Sequence, residues 1–84
     1  MPKISTALQQ QLDEAPDQSF DLIVRTDGDP TAHLRWLASE GIQVRHQFRL
    51  TPGLAVTCTG QDALRLLEPD WVISIETDAP VRAL

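Results

Sequence analysis

From Phe20 onward apolar and polar residues alternate in short runs, and the places where the alternation stops mark the ends of the elements. Phe20, Leu22 and Val24 read as the dry face of a first strand, closed by the turn-rich Asp27-Gly28-Asp29-Pro30. Asp29 is placed to cap a helix and Pro30 to occupy its first position. Leu34, Leu37 and Ala38 share a face of that helix, and Gly41 ends it. Ile42, Val44, His46, Phe48 and Leu50 then alternate with Gln43, Arg45, Gln47 and Arg49, which predicts a second strand with one apolar and one polar face. Thr51-Pro52-Gly53 reads as a turn into an antiparallel third strand, with Leu54, Val56 and Cys58 on its dry side and Gly60 breaking it. Ala63, Leu64 and Leu67 have helical spacing, and Pro69 stops the second helix. In the last strand Trp71, Ile73 and Ile75 alternate with Val72, Ser74 and Glu76.

The order strand, helix, strand, strand, helix, strand predicts an α+β chain of the ferredoxin-like (βαββαβ) class. In it a four-stranded antiparallel sheet carries two helices on one face. The domain occupies residues 19–78, between an N-terminal extension over 1–18 and an extended tail over 79–84. Within the extension Ile4, Leu8 and Leu12 recur at i, i+4 behind the cap candidate Ser5. This predicts a short helix or a disordered tail ending before Pro16. Its plainest reading is a solubilising extension, and the other is a partner-binding or dimerising helix.

If the large apolar residues face the helices, the open face carries Asp21, Ile23, Arg25, Gln43, Arg45, Gln47, Arg49, Ala55, Thr57, Val72, Ser74 and Glu76. That set is flat and mostly polar or small, suited to solvent or to the helices of another protein. RNA-binding sheets of this class need face aromatics and basic charge. Here Phe20, Phe48 and Trp71 fall on the helix side, and seven Lys and Arg stand against twelve Asp and Glu, a net charge of -5. Nucleic acid and anionic membrane are therefore not expected partners, and a basic or neutral protein surface is.

The single cysteine, Cys58, excludes an internal disulfide and the two-cysteine loop of a copper chaperone, and no metal or cofactor is expected. A lone thiol and the lack of a signal-like apolar run predict a cytoplasmic protein as the chain is given, or an extracellular one if an export signal was removed. The two histidines have no Ser or Cys at a spacing that the fold would bring together. His33 is expected on a helix surface and His46 in the core. No catalytic residues are assigned, and the chain is not expected to be an enzyme.

The runs DLIVRT, GIQVRHQF, GLAVTCTG and ALRLLEPDWVISIETD, in that order, resemble the prodomain and inhibitor family of subtilisin-like serine proteases. The likeness covers about three quarters of the chain. It rests most on Gly53-Leu54-Ala55-Val56, on Leu67 with Pro69 and Val72, and on Val72 to Asp78. The resemblance implies a monomer that inhibits such a protease by laying its open sheet face on two parallel surface helices. Glu76 and Asp78 would cap those helices, whose N-termini offer unpaired amides and a positive dipole end. The tail would occupy the substrate cleft as a product does. Leu84 would enter the primary pocket, Ala83 the small second pocket and Val81 the hydrophobic fourth, with Arg82 toward solvent. The family's prodomains also assist the folding of their own protease. A non-inhibitory interaction or regulatory domain of the same fold is the alternative function.

Overall fold

The structure is a computed structural model that describes residues 3–78. Its elements are α1 (Thr6–Glu14), β1 (Ser19–Thr26), a 3₁₀ turn (Pro30–His33) running into α2 (Leu34–Ser39), β2 (Gln43–Gln47), β3 (Gly53–Thr59), α3 (Gly60–Arg65) and β4 (Val72–Thr77). The four strands form one antiparallel sheet in the order β2-β3-β1-β4, as the ferredoxin-like pattern predicts.

Capping chemistry starts the helices. Asp29 accepts from the Thr31 hydroxyl and amide, and these two bonds hold its carboxyl below the usual range. The Thr59 hydroxyl caps α3 by accepting from the Asp62 amide. Gly41, at φ 78, gives α2 the left-handed ending that a residue with a β-carbon adopts only under strain.

Leu22, Val24, Leu54, Val56 and Cys58 face the helices, where Leu37, Ala63 and Leu66 complete one core. Each such leucine or valine contributes roughly 1.5–3 kcal/mol by leaving water. The leader belongs to the same core, which corrects its reading as a solubilising extension. Ser5 accepts from the Leu8 amide to cap α1, and Ile4, Leu8 and Leu12 are buried. Three hydrophobic positions on one side of a short helix are enough to dock it once α3 offers an apolar neighbour. Upstream of α1, Ile4 pairs in parallel with Ile75 and the Ile75 amide donates to the Lys3 carbonyl, so the leader covers part of the outer edge of β4. Lys3 Nζ also donates to the carbonyls of Leu67 and Pro69, at 3.1 and 2.6 Å.

Two register shifts depart from the simple alternation. In β2 the pairing moves between Val44 and His46, which places Arg45 at a bulge. Because side chains alternate with a period of two, one extra residue turns everything after it to the other face. His46, expected in the core, pairs with Ala55 and is exposed. Gln47 turns from the open face to the helix side, where its amide donates to Asp29 and to Thr31. Leu50, expected on the dry face, is 99% exposed. The second shift lies between Arg25 and Thr26 of β1, opposite the start of β4. It buries Val72 (1% exposed) and leaves Ile73 55% exposed, reversing the predicted alternation at these two positions, while Ile75 is buried as predicted.

Candidate functional site

With the helices on one side, the other face of the sheet is a shallow surface built from Asp21, Ile23 and Arg25 of β1, Ala55 and Thr57 of β3, Gln43, Arg45 and His46 of β2, and Ser74 and Glu76 of β4. Pairing places Ile23 opposite both Ala55 and Glu76, Arg25 opposite Ser74, and Asp21 opposite Thr57. On β1, β3 and β4 these residues share a face because each sits one position away from a core residue of its own strand, and in β2 the bulge brings His46 to the same face as Gln43 and Arg45. Val72, Gln47 and Phe20, by contrast, do not contribute to it.

The surface is chemically uneven. At the end nearer the β2–β3 turn, the ring of Phe48 packs edge-on to His46, with ring centres 5.2 Å apart, and lies over Gly53, which is opposite Arg25. Phe48 therefore belongs to the open side and not to the helix side as expected, and it does not pack against the core. With exposed Leu50 it forms an apolar margin to an otherwise polar face. Of the two carboxylates singled out by the sequence, Glu76 stands on β4 in the cross-sheet row Glu76, Ile23, Ala55, His46, and Asp78 stands two residues further from the β2–β3 turn. Glu76 is on the open face, and Asp78 follows directly after β4, its amide donating to the Asp21 carbonyl at 2.9 Å.

Both carboxylates have a basic neighbour. Glu76 lies 3.9 Å from Arg25 Nε, and both side chains are about half exposed, so solvent screens most of that attraction. Asp78 Oδ2 accepts from Arg45 Nη2 at 2.7 Å, and these side chains are more enclosed, at 34% and 35% exposure. Arg45 also approaches Asp21 Oδ1 at 3.8 Å, and Asp21 Oδ1 accepts from the Thr57 hydroxyl at 2.7 Å. The sequence offered Arg45 only as one more polar position on the strand. Its reach across the sheet to Asp78 is a long-range side-chain contact, which hydrophobic periodicity does not record.

The sequence-predicted tail residues Val81, Arg82, Ala83 and Leu84 lie outside the described residues. Away from the open face, His33 is not a plain helix-surface residue. Its ring stacks on Trp71 with centres 4.0 Å apart and planes 3° from parallel, and Trp36 meets Trp71 edge-on at 5.7 Å. Cys58 is buried in β3. Burial first, and the negative charge of Asp62 second, push its thiol up to about 12, which keeps it protonated and unreactive at neutral pH. Among the described residues no group of three or more His, Cys, Asp or Glu is placed to hold a metal ion, and no helix is long and apolar enough to cross a membrane.

No protein-family model matches this chain, and no curated protein does.

Proposed function

We propose that this chain is an inhibitor of a subtilisin-like serine protease, with no catalytic activity of its own. The observation that carries the reading is that Glu76, on the open face of β4, and Asp78, just after that strand, both stand along one edge of a shallow, helix-free sheet face. Helix N-termini on a partner present amide donors and positive potential, and carboxylates set on a flat surface can reach them without a clash. The net charge of -5 suits the same kind of partner. In this reading Val81, Ala83 and Leu84 fill alternate pockets of the cleft as an added strand, and Arg82 points outward. A cytoplasmic or exported location, a monomeric free state and a role in folding a cognate protease belong to the same proposal.

A second reading, a non-inhibitory interaction domain, is favoured by the apolar margin of Phe48 and Leu50 on that face, which a purely polar docking surface would not need. Removal of residues 81–84 separates the two. An inhibitor working through the cleft loses most of its effect on subtilisin while its circular dichroism stays native. A truncated chain that inhibits as well as the intact one removes the cleft from the account.

A further inference from the structure

Arg45 sits at the bulge in β2, on the open face where alternation also places it. From the sheet's edge strand its guanidinium donates to Asp78 Oδ2 at 2.7 Å, lies 3.5 Å from the Val56 carbonyl of β3 and 3.8 Å from Asp21 Oδ1 of β1. Asp21 is itself fixed twice, by the Thr57 hydroxyl at its carboxylate and by the Asp78 amide at its carbonyl. One side chain thus ties together β2, β3, β1 and the residue that leaves β4, the whole width of the sheet. The planar fork of arginine suits such a task because its several donors point in fixed directions.

Asp78 immediately precedes residues 79–84. A carboxylate that gives one oxygen to Arg45 still has the lone pairs of the other for an outside donor, so being held does not prevent it from capping a partner helix. Glu76, 3.9 Å from Arg25 and more exposed, is not held in this way. The two acids therefore differ in kind: Asp78 is set in place before any partner arrives, and Glu76 adjusts when one does. Groups fixed in advance lose less freedom on docking.

We propose that Arg45 is a positioning residue for protease binding, clamping Asp78 to the sheet so that the segment after it leaves from a fixed place. This rests on the inhibitor reading of the same face.

The test uses the full chain as wild type, Arg45→Met and Arg45→Lys, with two measurements. Amide hydrogen exchange of Asp78 is compared with that of Val24 in the free protein, and the inhibition constant is measured against subtilisin. Arg45→Met is expected to speed exchange at Asp78 alone and to weaken inhibition, each by roughly fivefold, the scale of one partly enclosed ion pair. Arg45→Lys, which keeps the charge but not the fork, should recover part of both. Unchanged exchange at Asp78 overturns the clamp. Faster exchange with unchanged inhibition overturns the positioning role while leaving the inhibitor reading intact. If the wild-type chain does not inhibit, the inhibitor reading has failed and the positioning role falls with it, and the exchange result still shows whether Arg45 holds Asp78.

Discussion

Gly60 passes so close beneath Leu12 that a β-carbon on Gly60 would lie 2.7 Å from the Leu12 carbonyl oxygen, and equally close to that of Ala15. The Gly60 amide donates to the Gln18 carbonyl and the Gln61 amide to the Pro16 carbonyl, so the connection just after α1 and the start of α3 are joined backbone to backbone. The Leu12 and Ala15 carbonyls are both backbone, so neither can swing aside as the end of a flexible side chain would. Gly60→Ala is expected to destabilise the protein by about 1–3 kcal/mol, the range of overpacked sites. Urea unfolding measures it, and an unchanged midpoint would mean that α1 does not seat against α3 as described.

The same contact makes the leader part of the folding unit. Leu12 is fully buried, and Leu12→Ala should cost about 2–5 kcal/mol. For a domain of this size that is a large fraction of the total. A chain starting after Pro16 should therefore be largely unfolded at room temperature by circular dichroism. A truncated chain with native spectrum and melting temperature would restore the dispensable extension that the sequence suggested.

How far the sequence could be read follows from these particulars. The sheet and its helices were legible because Leu22, Val24, Leu54 and Val56 alternate cleanly and Asp29, Pro30 and Gly41 punctuate the chain by well-understood local chemistry. The leader was misjudged because three apolar positions look weak until a partner surface exists to bury them. In β2 the pattern from Ile42 to Leu50 is a perfect alternation, yet the bulge at Arg45 reverses its second half, and hydrophobicity carries no mark of an inserted residue. In β4, Val72 and Ile73 are both β-branched and apolar, so composition could not decide which of them faces the core. For the site, Glu76 and Arg45 were placed on the correct face, whereas the clamp of Arg45 on Asp78 joins residues 33 apart and leaves no trace in periodicity.

Those corrections change what mutation of Phe48 should do. A phenylalanine in the core would cost about 3–5 kcal/mol on truncation. Phe48 instead lies over Gly53 beside His46, outside the core, so Phe48→Ala is expected to cost about 1 kcal/mol. Leu54→Ala, in the core, should cost about 2–5 kcal/mol. Equal losses for the two variants in denaturant titrations would return Phe48 to the helix side.

Burial of Cys58 sets a pH dependence whose sign is fixed. Its thiol is raised to about 12 in the folded protein, against about 8.5 for a free cysteine. Between those values the unfolded chain has lost a proton that the folded one keeps. The contribution of Cys58 is thus fully present below about pH 8.5 and is lost as the pH rises toward 12. The melting temperature of the wild type should fall more steeply over that window than that of Cys58→Val. Parallel curves would show that the thiol is not shielded as its position implies.

The carboxylate pair should matter to binding and not to folding. Replacing Glu76 and Asp78 together by alanine is expected to weaken inhibition by roughly 1–3 kcal/mol, the scale of charge-assisted hydrogen bonds lost at an interface. Thermal stability should change much less, since both side chains are at least a third exposed. An unchanged inhibition constant would make them ordinary surface acids.

The most direct measurement is the residual activity of subtilisin across a series of chain-to-enzyme ratios, followed over time with the chain itself watched on a gel. The inhibitor account predicts that activity falls as the chain is added, with the chain intact in a lasting inhibitor or slowly consumed in a temporary, prodomain-like one. Rapid digestion of the chain with no loss of protease activity at any ratio would contradict it.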